Sequence, residues 1–252
     1  MYIGEHSTYI GFYLIAAIAG LAVGQFVDWI VERLIENKKI FSGDIFRKYK
    51  IEFKPNYILM LTTSMIYLGL IYIFGIQDGF IENLNLIKYI ILTPMLLAVT
   101  TIDYKKQIIP NRLNLTIFEI GLVIAFIFGI SNIAITIDML LGMVAGVAIF
   151  LIITLIGALF YGKDSMGLGD IKFIAALGLY FGVSNIIVIS ILAFLIGTIC
   201  SVVMIATKRK KIDEYIPFGP FIVIATFICI FVPFETLLYV LKMIFTLGMY
   251  KK

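Results

Sequence analysis

The chain has 252 residues, 62% of them hydrophobic and only 14% charged, with a mean hydropathy of +1.06. A soluble domain carries about 25% charged residues and about 45–50% apolar ones, so the composition excludes an ordinary soluble enzyme and implies a polytopic membrane protein. The net charge of +4 does not indicate nucleic-acid binding, because the basic residues sit in loops between apolar runs, and no nucleic-acid partner is expected.

Without water in the bilayer core, each span must satisfy its own backbone groups, which a helix does within one segment. The strand-like alternation of a barrel is absent, so the predicted fold class is all-α, a transmembrane helical bundle. In chain order, spans are predicted near 9–31, 56–76, 86–102, 113–130, 136–161, 171–183, 185–207 and 217–233, about eight in all. The first lacks a basic n-region and a small-residue cleavage site and reads as a retained span. The sixth is short for a full crossing and begins at the membrane edge or in a protein-lined cavity. The apolar stretch from Glu235 to Met249 follows Pro233; it continues the eighth span after a kink, lies at the interface, or crosses again. Residues 1–252 read as one membrane domain, with 36–55 a short loop and 234–252 a tail of open topology.

Loop charges set the orientation. Arg33, Lys38, Lys39, Arg47, Lys48, Lys50 and Lys54 fall in or beside the first long loop. Lys105, Lys106 and Arg112 lie in the 103–112 loop, Lys163 and Lys172 in the 162–172 loop, and KRKK at 208–211. The alternate loops are poor in basic residues and carry Asp78, Glu82 and Asp138. Every second loop is therefore expected on the cytoplasmic side, with the N-terminus outside.

Candidate chemistry is confined to acids. Cys200 and Cys229 lie inside apolar runs with no CxxC pair, and His6 is the only histidine, so no metal site, disulfide framework or histidine-based triad is indicated. Asp28 and Glu32 fall four apart on one helical face beside Arg33 and read as a charge-paired helix end. Glu119 lies within a span and calls for a polar partner or a neutral state.

Asp103 and Asp170 are different, since each sits where a span meets the basic side. Two carboxylates about 4 Å apart at an effective dielectric near 20 repel by about 4 kcal/mol, so one holds a proton while the other is ionised. That is the condition for activating water against a peptide carbonyl. Gly167 and Gly169, just before Asp170, are expected to allow a tight turn and close approach of a substrate backbone. Pro110, with Asn111 after it, restarts a helix, and Lys172 marks the interface or affects the acids' charge. Pro217, Phe218, Gly219 and Pro220 shape the start of the last span.

Three stretches, TTIDYKKQIIPNRLN at 100–114, GKDSMGLGDIKFIAALGLYFG at 162–182 and YIPFGPF at 215–221, together resemble the type IV prepilin peptidase family, intramembrane aspartic proteases of the GxGD type. GLAVGQFVDWIVERL at 20–34 is similar to that family's first segment more loosely. The resemblance implies that Asp103 and Asp170 form an aspartyl dyad and that no cofactor is needed. It also implies a prepilin or pseudopilin substrate, whose basic leader is cut after a glycine on the cytoplasmic face of a prokaryotic plasma membrane. Gly167, Gly169, Pro110, Asn111 and Lys172 would support substrate approach.

Many bacterial members also N-methylate the new terminus and carry two CxxC pairs in a larger insertion. The corresponding interval here is short and has no cysteine, so peptidase activity alone is expected, with a bifunctional peptidase/N-methyltransferase as the alternative. A reading of another class is a transporter or proton pathway through Asp103, Glu119 and Asp170, which would call for internal symmetry; no repeat is visible. Membrane lipids are the other expected partner.

Overall fold

The computed structural model describes residues 10–36, 55–77, 79–161, 166–208 and 216–246. His6, most of the 36–55 loop, Lys163, residues 209–215 and residues 247–252 lie outside the described residues. All regular structure among the described residues is helical, in eight elements, and six of the helices are long and apolar enough to cross a membrane. The chain divides into two compact units, residues 1–106 and 107–252.

The first unit holds α1 (Ile10–Ile35), α2 (Tyr57–Phe74) and α3 (Phe80–Lys106), each packed on the other two. In lipid, helices gain little from hydrophobicity and associate by close backbone approach at small residues. Gly20 and Gly24 supply that approach: a Cβ on Gly20 would collide with the Ser64 backbone, and one on Gly24 with Leu59 and Met60. The Ser64 hydroxyl donates to the Ala17 carbonyl at 3.1 Å across the same seam.

Polar residues close the far end of this seam. Asn56 caps α2 by accepting from the Leu59 N–H at 3.3 Å. Its own N–H donates to Gln25 Oε1 at 3.0 Å, and its side-chain amide donates to Asp28 Oδ1 at 2.7 Å. Asp28 thus serves a contact between helices, and Arg33 lays its guanidinium 4.7 Å from the Trp29 ring centre. Asp28 is therefore bound to the start of the neighbouring helix, while Arg33 meets Trp29 one turn back on α1.

The second unit holds α4 (Asn111–Ser131), α5 (Ile133–Tyr161), α6 (Leu168–Ala206), α7 (Gly219–Phe231) and α8 (Phe234–Phe245). At 39 residues, α6 would be about 58 Å long if straight, nearly twice the hydrocarbon thickness of a bilayer. It is not straight. Gly182 has φ 72° and ψ −179°, a conformation open almost only to glycine.

Contacts with α5 show that the chain reverses there. Gly142 meets Gly178 and Gly182, while Gly146 meets both Ile174 and Ile186. Phe150 packs on Phe194, with ring centres 5.3 Å apart. Residues 174 and 186 could not both touch Gly146 on an unbroken helix. The first arm therefore runs antiparallel to α5 and the second parallel to it. The break falls at the boundary between the predicted sixth and seventh spans.

Asp138, in the second turn of α5, fixes the reversal: its carboxylate accepts from the Val183 N–H at 3.3 Å, at the start of the second arm. Phe218, just before α7, joins Phe150, Phe194 and Phe221 in an aromatic cluster, its ring 5.0 Å from that of Phe194. Pro233 ends the apolar run of α7, and α8 follows as a separate short amphipathic helix. It buries Leu237 and Leu241 against Val188, Ile191, Leu192 and Leu195 of the second arm. Cys200 and Cys229 are free and half-buried. Glu119 is exposed on α4.

Candidate active site

The residues around the GLGD segment are organised by the starts of α4 and α6. Pro110 caps α4 with an extended backbone, φ −60° and ψ 133°, the angle a pyrrolidine ring favours. Its carbonyl accepts from the Leu113 and Asn114 N–H groups at 3.0 and 3.1 Å. The predicted helix restart after Pro110 is therefore present, beginning at Asn111.

Gly167 caps α6, and its carbonyl accepts from the Asp170 N–H at 3.0 Å. Asp170 thus lies in the first turn of α6, where backbone N–H groups have no intrahelical partner and the helix end favours negative charge. Its side chain is buried, 4% exposed.

Two side chains from α4 hold this segment. Asn114, itself 4% exposed, donates from its amide nitrogen to the Gly169 carbonyl at 3.0 Å. Lys172 Nζ donates to Asn111 Oδ1 at 2.9 Å. Because residues 111 and 114 are three apart on a helix, they share a face, and both grip one turn of α6. Farther along the same pair of helices, the Tyr180 hydroxyl donates to the Ile117 carbonyl at 2.8 Å. Five of the residues singled out from sequence, Pro110, Asn111, Gly167, Gly169 and Lys172, accordingly lie at the paired starts of α4 and α6, the latter carrying Asp170.

The glycines do not act as their identity suggested. Gly167 has φ −70° and ψ 137°, which any residue can adopt, and Gly169 is helical with Ile109 as its neighbour. The tight turn is made by ordinary geometry. What glycine supplies here is the absence of a side chain beside Asp170.

Asp103 belongs to the first unit. It lies in the penultimate turn of α3, before Lys105 and Lys106, and is 2% exposed. Both acids are thus buried near a helix end, Asp103 near the C-terminus of α3 and Asp170 at the N-terminus of α6. An ionisable side chain buried in a membrane protein is costly, which makes both acids candidates for function. Asn114 is the one participant that sequence reasoning passed over. Its signal was the Asn-x-x-Asn spacing directly after Pro110, one turn of a helix whose start was already predicted.

Comparison with known proteins converges on the same segments. Residues 90–202 match the model of the type IV leader peptidase family, a stretch that contains Asp103, Asn111, Asn114 and the GLGD turn. The prepilin leader peptidase/N-methyltransferase of Pseudomonas aeruginosa is 35% identical over 141 residues, 56% of this chain and 48% of the relative. That of Aeromonas hydrophila is 30% identical over 141 residues with the same shares, and that of Neisseria gonorrhoeae 32% identical over 139, or 55% and 46%. The matched stretch spans about half the length of these curated relatives. No solved structure matches the chain significantly. Residues 90–202 of this multi-pass membrane protein, the segment that holds both acids, are thus similar to the type IV leader peptidase family.

Proposed function

We propose that the chain is an aspartic endopeptidase that removes the basic leader of type IV prepilins or pseudopilins, with Asp103 and Asp170 as its catalytic pair. The observation that carries this reading is a buried carboxylate, Asp170, on a turn held by Asn114, in a family segment that also contains the buried Asp103.

In this mechanism one carboxylate takes a proton from water as its oxygen attacks the scissile carbonyl, and the other, protonated, donates to the carbonyl oxygen. The resulting gem-diol collapses as the departing amine is protonated, and the pair returns to its singly protonated state. The two groups titrate as a unit. The loop lysines and arginines support a reaction on the cytoplasmic face, where a cationic leader would meet an acidic pair.

The reading is peptidase only, because the interval at 36–55 has no cysteine; the relatives' second named activity is not carried over. The transport reading gains no support from the family.

Cleavage of a prepilin in membranes by wild type, Asp103→Asn and Asp170→Asn tests it. General acid–base groups contribute about 10²–10⁴-fold, so each variant is expected to lose at least 100-fold in cleavage rate. Undiminished cleavage by either one removes that residue from the pair.

A further inference from the structure

Asn114 carries two polar side-chain atoms, and the clamp on Gly169 uses one of them. The Gly169 carbonyl can only accept, so the amide nitrogen is the atom that faces it, at 3.0 Å, and Oδ1 is turned elsewhere. That oxygen is buried and receives no hydrogen bond among the described residues. Donors on both helix starts are committed: the Leu113 and Asn114 N–H groups to the Pro110 carbonyl, the Asp170 and Ile171 N–H groups to the Gly167 carbonyl, and Lys172 Nζ to Asn111 Oδ1. A buried acceptor without a donor is destabilising, so its presence one peptide away from a buried acid calls for a ligand that donates.

We infer that Asn114 Oδ1 accepts one hydrogen of the attacking water while Asp170 accepts the other, which makes Asn114 a third catalytic residue and Asp170 the base of the pair. The inference rests on the peptidase reading and deepens it. Amide dimensions put Oδ1 about 2.2 Å from the bonded nitrogen, hence within about 5 Å of the Gly169 oxygen. Peptide planarity fixes the Asp170 Cα about 2.8 Å from that same oxygen. A water donating at about 2.8 Å to each of two acceptors bridges up to about 5.6 Å, and these two side chains flank a single peptide.

Burial selects water over a substrate N–H. Asn114 and Asp170 are each 4% exposed, which leaves no open face for an extended strand, whereas water enters such places and bonds several buried polar groups at once. The first turn of α6 favours negative charge, as a base requires. With both hydrogens held, a lone pair of the water oxygen is left for the scissile carbon. As that C–O bond forms, one O–H bond breaks and its proton passes to the Asp170 carboxylate. The carbonyl π electrons move to the carbonyl oxygen, which takes the proton of the other, protonated acid. The second O–H bond stays intact on Asn114 Oδ1.

The test is a structure of the full-length protein in lipid nanodiscs at a resolution that shows ordered water, alone and with a prepilin peptide whose scissile carbonyl is a difluoroketone, hydrated to the gem-diol. A water within about 3.2 Å of both Asn114 Oδ1 and an Asp170 carboxylate oxygen is expected, replaced in the complex by a gem-diol hydroxyl. A protein donor on Oδ1, or a water that touches Asp170 alone, would overturn the assignment. In binding assays Asn114→Leu should weaken the gem-diol peptide roughly tenfold, the worth of one hydrogen bond, and the uncleavable methylene-amine peptide less than about threefold. Asn114→His separates the oxygen from the clamp, because a ring N–H can still serve Gly169 while carbon stands in place of Oδ1. It should lose the gem-diol peptide to the same extent, and wild-type affinity in this variant would overturn the role of the oxygen. A wild type that binds the gem-diol no better than the methylene-amine would overturn the peptidase reading as well. Cleavage by a protein that shows no shared water overturns only the part played by Asn114.

Discussion

At the scale of single residues, Asn114 is the informative position. Its amide bonds the Gly169 carbonyl from 55 positions away in the chain, holding the peptide immediately before Asp170. Replacement by Leu keeps the volume but leaves a buried carbonyl without its donor, at a cost of about 1–3 kcal/mol. It also frees the turn to shift, and small misplacements of a reacting group can cost about 100-fold in rate. Asn114→Leu should therefore lower kcat for prepilin cleavage at least tenfold with KM little changed, and Asn114→Gln should recover less than half of the loss. A parallel rise in KM would show that the side chain contacts substrate instead. Asp103 and Asp170 were legible in the sequence because a carboxylate at the end of an apolar run is rare. Asn114 was not, since an asparagine near a helix start has many uses and only its distant partner reveals which one applies.

Among the elements, α6 shows what periodicity can and cannot give. Its apolar run marks two spans because the sequence is too long for one. The reversal depends on a single residue with φ 72° and on Asp138 from another helix. A Cβ at position 182 would meet the Asp138 carboxylate, and the backbone itself would be strained by about 1–3 kcal/mol. Gly182→Ala is accordingly expected to lower the melting temperature in detergent by several degrees, and a wild-type melting curve would refute the assigned turn.

Gly142 and Gly178 lie backbone to backbone, so Gly178→Val should separate α5 from α6 and destabilise the unit still more. Neither glycine stood out in a chain with 21 of them. A glycine's importance lies in the neighbour that a side chain would strike, and that neighbour is set by packing. The same reason explains why Gly167 and Gly169 misled: their spacing suggested unusual backbone angles, yet the turn needed none.

For the whole molecule, the alternation of basic and basic-poor loops makes a prediction separate from the chemistry. Single cysteines introduced at Lys106 and Lys208, in a background lacking Cys200 and Cys229, should be labelled by a membrane-impermeant thiol reagent only after the cytoplasmic face is opened. Cysteines at Gln77 and Asn132 should label in intact cells. The opposite pattern would invert the proposed orientation and place the acids away from a cytoplasmic leader. A second molecular-scale outcome concerns methyl transfer. Incubation with labelled S-adenosylmethionine and trimmed substrate should leave the product unlabelled, and robust incorporation would overturn the peptidase-only reading.

Hydropathy and charge by themselves determined that this chain is a helical membrane protein, roughly where its spans lie, and which acids stand at the ends of spans. These are local properties: the cost of placing a polar group in hydrocarbon depends on the residue and its immediate neighbours. Only the tertiary structure decided the reversal at Gly182, the clamp of Asn114 on Gly169 and the use of Asp28 by Asn56. Each of these depends on groups brought together from separate helices, and helix association in lipid turns on shape and hydrogen-bond partners that no single segment specifies.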